Sequence, residues 1–299
     1  MDTTTIILQL VLSGVLVGGI YGLIATGFVI TYRNAQVFNI AYGQFAVVGA
    51  FIAWTFIGSP SAPRLPLPIA LLLTIIAAIV FGLVVERVLF RHMIGKPIFA
   101  TFMLTLGLLA VLHSLVMIIW GPKTLALSTT IPKGPVNLGD IVLAREYIWS
   151  FCLAVVLVIA LVLFFRRTRM GLAMRAAYED QVAARCLGVS AKLNAKLAWV
   201  ICTVIATVGG ILIASVSGVG MMLSELVMVV LAVVLIGGLD SFVGCIVGGL
   251  ILAIGSNLTS YYLGPYVPGI ESIFGMVLIL VVLLIRPSGL FGTRPIERV

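Results

Sequence analysis

Residues 147–167 read YIWSFCLAVVLVIALVLFFRR. From Tyr147 to Phe165 no side chain is charged, and Arg166 and Arg167 close the run. About 20 apolar residues is the length an α-helix needs to cross the hydrocarbon core of a bilayer. A helix satisfies its own backbone polar groups in lipid, so the stretch predicts a transmembrane helix with a basic anchor at one end. The rest of the 299-residue chain repeats the pattern: 62% of its residues are hydrophobic and 9% are charged. A soluble domain carries roughly 25% charged residues. The composition therefore excludes a soluble enzyme, a disordered chain and a disulfide scaffold. The runs are continuous rather than alternating, which excludes an outer-membrane barrel. The expected fold is all-α, a polytopic transmembrane helical bundle in a single domain, 1–299.

Upstream, the apolar runs cover about Ile6 to Tyr32, Val37 to Ile57, Leu67 to Phe90 and Ile98 to Trp120. Downstream they cover about Leu197 to Val216, Leu223 to Gly237, Phe242 to Tyr262 and Gly269 to Ile285. Eight or nine crossings follow, with the second and seventh runs read as candidate broken or re-entrant segments. No Lys or Arg precedes the first run, which is also too long for a signal-peptide core. A Pro-rich loop spans Ser59 to Pro68, and a Gly- and Pro-containing loop spans 121–146.

The net charge of +8 is read first through topology. Basic residues collect in cytoplasmic loops. With the N-terminus outside and the C-terminus cytoplasmic, only Arg64, Lys123, Lys133 and Arg145 of the 18 Lys and Arg fall outside. Seven of the others lie in one segment, 166–196: Arg166, Arg167, Arg169, Arg175, Arg185, Lys192 and Lys196. The aromatics Trp54, Trp120, Tyr147, Trp149, Tyr261 and Tyr262 all fall at the expected outer interface. The charge marks topology, with no implication of nucleic acid.

Chemistry-bearing groups are sparse. The four cysteines make no C-x-x-C pair, and those in apolar runs read as small core residues. No HExxH, no Ser/His/Asp set and no G-x-x-x-x-G-K-[ST] is present, so neither a metal nor a nucleotide site is expected on this chain. No Asp or Glu lies well inside a run, which argues against a proton-driven carrier. Intramembrane polar residues are Asn39, Tyr42 and Gln44 in the second run, Thr105 and His113 in the fourth, and Asn257 in the eighth. Such groups face a bundle interior or a water-filled path. Two readings stand for them, a translocation pathway and internal structural bonds. Gly14, Gly18 and Gly22 recur every four residues, as do Gly244 and Gly248, and Gly210, Ala214 and Gly218. This spacing lets helix backbones approach closely in lipid, within the chain or against a partner subunit.

The most informative segment is polar: Arg169-Met-Gly-Leu-Ala-Met-Arg175-Ala-Ala-Tyr-Glu-Asp-Gln-Val-Ala-Ala-Arg185-Cys-Leu-Gly188-Val. It predicts one helix of about four turns from Leu172 to Leu187, stopped by Gly188 at a left-handed position. Leu172, Ala176, Ala183 and Leu187 share a stripe. A basic juxtamembrane helix can lie on anionic lipid. The alanines and Glu179-Asp180 suit a small helix docked in a protein groove.

This segment resembles the coupling loop of membrane subunits of ATP-binding-cassette importers, in the degenerate R-A…D…A…G form of branched-chain amino-acid permeases. Three other stretches agree. Asn39-Ile-Ala-Tyr-Gly43-Gln-Phe with Gly49-Ala50 is similar to the family's N-F-A-x-G-x-F…G-A. Ile236-Gly-Gly-Leu-Asp-Ser-Phe-Val-Gly244 with Gly248-Gly249 is similar to G-G-L-G-S-x-x-G…G-G. Arg286-Pro-Ser-Gly-Leu-Phe-Gly292 is similar to R-P-x-G-L-F-G. The likeness runs from about residue 8 to 292, and the length resembles the smaller, LivH-type subunit.

The resemblance implies an importer permease of the cytoplasmic (inner) membrane. Its partners would be a LivM-type second permease, two cytoplasmic ATPase subunits (LivG/LivF-type) that hold ATP and Mg, and a substrate-binding protein outside. By motif position, Gly171, Arg175, Ala176, Glu179, Asp180, Ala184 and Gly188 would couple to an ATPase. Cargo would be an amino acid, branched-chain first. Relatives of this architecture also import urea, short amides, aromatic acids and sugars, and a stand-alone channel or secondary carrier is the rival of another class. Tyr42 and Gln44 depart from the usual His/Gln and Glu/Ser, and Asp240 replaces a usual Gly.

Overall fold

A computed structural model describes residues 3–35, 37–58, 65–93, 96–127, 134–139 and 141–292. Parts of the Pro-rich loop (59–64) and of the loop 121–146 (128–133 and 140) lie outside the described residues. The helices are α1 (Thr3–Ala35), α2 (Tyr42–Ile57), α3 (Leu67–Val88), α4 (Ile98–Ile119), α5 (Arg145–Arg167), α6 (Arg169–Glu179), α7 (Gln181–Cys186), α8 (Ala191–Ser217), α9 (Leu226–Gly237), α10 (Phe242–Leu263) and α11 (Ile270–Ile285). Short 3₁₀ turns cover Phe90–Met93 and Met221–Glu225. Among the described residues, six helices are long and apolar enough to cross a membrane: α1, α3, α4, α5, α8 and α10. The remaining apolar helices α2, α9 and α11 are shorter. The chain is a polytopic helical membrane protein.

Both segments expected to be irregular are short, for local reasons. The second run begins at Val37, yet α2 starts only at Tyr42, after a non-helical stretch over 37–41. The seventh run opens as the 3₁₀ turn Met221–Glu225 before α9. A further departure from the all-α expectation is a small hairpin in the loop before α5. Here β1 (Pro135–Leu138) pairs antiparallel with β2 (Ile141–Ala144), Val136 opposite Leu143.

The chain divides into two compact units, taken separately here. One holds Met1–Val29, Ile131–Val155 and Met228–Val299, the other Ile30–Thr130 and Val156–Val227.

In the second unit α8 is the buried spine, flanked by α2 and α3. Small residues set these contacts. A Cβ on Gly49 would stand 2.7 Å from Thr207 Cα, and Gly210 lies against the Ala46 backbone. Thr203 Oγ1 lies 3.1 Å from the Ala78 carbonyl of α3, a cross-helix bond that satisfies a buried hydroxyl. Trp199, fully buried, stacks on Phe90 at 4.0 Å between ring centroids and tilts against Phe45. Gly218, expected on the α8 packing stripe, instead ends the helix at φ +84°. Only a residue without a Cβ takes that conformation freely. The next residue, Val219, exchanges two backbone hydrogen bonds with Leu125, at 2.7 and 2.8 Å.

In the first unit the N-terminal part of α1 lies on α10. A Cβ on Gly14 would stand 2.7 Å from Ile254 Cα, one on Gly18 2.8 Å from Leu250 Cα, and one on Gly22 3.0 Å from Ile246 Cα. The four-residue spacing thus brings backbone to backbone along successive turns. Gly244 and Gly248 face the end of α9, at Gly237 and Val233. Cys202 and Cys245 are buried, but Cys152 is exposed on α5 rather than in the core.

Candidate functional site

The segment after α5 is the most sharply built surface element. Thr168 has extended backbone and ends one helix while starting the next. Its hydroxyl donates to the Phe164 carbonyl of α5 at 2.7 Å and accepts the Gly171 N–H at 3.0 Å. This is N-capping by a threonine, which meets an orphan donor of the new helix. Gly171 is buried against the Phe164 and Phe165 backbone, where a Cβ would stand 2.6 Å from Phe165 Cα. Met174 is buried on the same helix, and the ring of Tyr178 lies under the Arg33 guanidinium.

The single helix expected over Leu172–Leu187 is two helices. Asp180 breaks it, with φ −147° and ψ 103°. Its carboxylate accepts the N–H groups of Val182 and Ala183, both at 2.9 Å. An aspartate offers the backbone this alternative to helix continuation, so a helical pattern containing Asp can split at that residue. Gly188 then ends α7 with φ +86°, the left-handed position expected for it. Its N–H donates to the Arg185 carbonyl and that of Val189 to the Ala184 carbonyl, at 3.0 and 2.9 Å. Those two bonds make a Schellman cap. Ala184 is buried, Arg175 and Ala176 are half-buried, and Glu179 is exposed. The apolar side chains of Leu172, Val182 and Leu187 stand outward, Leu187 at 84% exposure. The expected stripe is thus rearranged across the break into an exposed apolar and alanine-rich elbow.

The polar intramembrane residues separate into satisfied and unsatisfied groups. Thr105 donates to the Phe102 carbonyl at 2.8 Å, a local bond within α4. Tyr42 is buried edge-on to Phe45. Gln44 Nε2 lies 3.5 Å from Nδ1 of His113, whose ring is on the exposed side of α4. Gln44 Oε1 has no partner, and neither amide atom of Asn39 has one, though Asn39 is 1% exposed. Asn257, in the first unit, donates to the Leu10 carbonyl at 3.3 Å and to Ser13 Oγ at 3.2 Å.

Two sequence motifs separated by some fifty residues meet. The N–H groups of Leu290 and Phe291 donate to the carbonyls of Ile236 and Gly237, each at 2.9 Å. The closing segment thereby satisfies carbonyls that the end of α9 leaves open. Sequence reading did not single out Thr168, Tyr178 or Ser224, whose buried hydroxyl has no partner. The first had a legible signal, a threonine directly before a helical pattern.

Long apolar helices, shorter interrupted ones, and a capped helical elbow outside the candidate spans define a polytopic helical membrane protein. The chain belongs to the family described as branched-chain amino acid transport system / permease component, whose model matches residues 10–285. It is 30% identical to the high-affinity branched-chain amino acid transport system permease protein BraD of Pseudomonas aeruginosa, over 98% of both chains. It is 28% identical to the permease protein LivH of Escherichia coli K12, over 98% of this chain and 97% of that one. A probable LivH of Methanocaldococcus jannaschii is 24% identical, over 95% and 92%.

Proposed function

We propose that this chain is a membrane-spanning subunit of an ATP-driven importer that carries amino acids, branched-chain ones first, inward across the cytoplasmic membrane. The observation that carries the reading is the elbow α6–α7. It has a fixed root at Thr168 and Gly171, a defined end at Gly188, and outward Leu172, Val182 and Leu187. An apolar patch of this kind on a rigid helical elbow suits a groove on a partner protein. In this reading the elbow and the basic residues around it face the cytoplasm, with the N-terminus outside and the C-terminus inside. Two ATPase subunits hold the nucleotide and its magnesium. A second permease of the LivM type completes the pathway, and a receptor outside delivers cargo.

The pathway begins at the non-helical stretch before α2 and the first turn of that helix. Asn39 and Gln44 present amide atoms without protein partners, each costing about 1–3 kcal/mol when left unmet. Water or passing cargo meets them when the path is wetted. Such neutral groups hold cargo weakly, which suits a carrier whose receptor supplies selectivity. Alternating access then follows from closure of the ATPases, movement of the elbow, and rearrangement of the permease helices.

The test is Leu187→Asp in the full complex. Burying that carboxylate in an apolar groove costs several kcal/mol. The ATPase subunits are expected to be lost on purification, with this chain still folded. ATPases that stay bound, with uptake intact, sink the reading. Uptake by this chain alone in ATP-free proteoliposomes establishes the carrier reading instead.

A further inference from the structure

Helix α6 is held at both ends. At its start, Thr168 ties it to the end of α5, and Gly171 rests on the α5 backbone. At its other end the guanidinium of Arg33 lies 4.0 Å from the centroid of the Tyr178 ring. Arg33 is in the last turn of α1. The next residue, Asn34, accepts a hydrogen bond from Asn194 of α8 at 3.3 Å, and its own amide donates to the Ile30 carbonyl. The last turn of α1 therefore touches both α6 and α8. Tyr178 is the last anchored side chain before the break at Asp180, beyond which Val182 and Leu187 stand exposed.

The mechanical consequence is direct. A helix of 11 residues held at one end pivots when its far end is pushed. Held at both, it carries its supports with it. Arginine suits the second mount, because its planar, permanently charged group stacks on an aromatic face.

We propose that Arg33 is a positioning residue: its contact with Tyr178 passes displacement of the α6–α7 elbow to the cytoplasmic ends of α1 and α8 instead of losing it in the loop. The inference rests on reading the elbow as the ATPase-docking element.

The experiment uses the complete importer in proteoliposomes and measures cargo moved per ATP hydrolysed. For Tyr178→Leu and Arg33→Gln this ratio is expected to fall about threefold to tenfold while hydrolysis continues. Amide exchange over residues 171–179 quickens in both. Tyr178→Phe keeps the ring and holds both readings at the original level. An unchanged ratio in the two disruptive variants overturns the proposal even if exchange quickens, since the contact is then structural only. A loss in Tyr178→Phe equal to that in Tyr178→Leu overturns it too. Failure of the docking reading shows separately: it fails if Leu187→Asp leaves the ATPases bound, whatever the Arg33 variants do.

Discussion

Asn257 and Asn39 are the same residue type, each within an apolar run, and the structure treats them oppositely. Asn257 donates to both the Leu10 carbonyl and Ser13 Oγ on α1, beside the contact made by Gly14. Asn39 is more deeply withdrawn than the half-buried Asn257, yet meets nothing with either amide atom. The first joins two helices, and the second is a buried amide without a hydrogen-bond partner. Burial alone therefore does not assign an intramembrane amide. What separates the two is whether neighbouring groups complete its hydrogen bonds.

The comparison breaks most violently at the glycines that bring Ser13 within reach of Asn257. Gly18→Leu forces a side chain where even a Cβ would stand 2.8 Å from Leu250 Cα. The obstacle is backbone, so no side-chain rotation relieves it. A loss of several kcal/mol is expected, enough to abolish the folded state. Gel filtration in detergent should show aggregate with no monodisperse peak. A monodisperse Gly18→Leu protein refutes the close α1–α10 contact.

Next in size is Asn39→Leu. Removing a buried amide that has no partner is expected to leave thermal stability unchanged or to raise it by up to about 1 kcal/mol. Uptake at fixed ATPase activity should fall about tenfold, which corresponds to roughly 1.4 kcal/mol. A destabilised variant with normal uptake would place Asn39 with Asn257, and the distinction would collapse.

Much of this was legible beforehand. The composition, the apolar runs and the four-residue glycine spacing fixed a helical membrane bundle, and each of the nine runs contains a helix. Gly188 was readable as a helix stop because its left-handed geometry is a local property. The split at Asp180 was not read. Its carboxylate chooses between a helix face and a cap, and the alanine-rich pattern around it favoured continuity. Gly218 was misplaced for a related reason: a stripe of small residues does not reveal where the helix carrying it ends. The hydrogen-bonding state of the intramembrane polar residues was the least legible. Which amide finds a partner depends on the helix opposite, and no spacing along one strand of sequence encodes that.

The smallest effect sharpens the comparison from the other side. Asn257→Leu removes two cross-helix hydrogen bonds but fills similar space with an apolar side chain. Interhelical hydrogen bonds in membranes contribute about 0.6 kcal/mol on average, since unfolded segments in lipid also find partners. A loss of about 1 kcal/mol is expected, read as a modest fall in melting temperature, with uptake per folded molecule unchanged. Ser13→Ala should cost less, because Asn257 retains the Leu10 carbonyl. The Ser13 hydroxyl also donates to that carbonyl at 3.0 Å, so its removal frees the acceptor for Asn257 rather than stranding it. If the double variant loses no more than Asn257→Leu alone, the two side chains act as one bonded unit. An uptake defect in Asn257→Leu at full stability would instead move Asn257 into the pathway and leave Asn39 without a contrast.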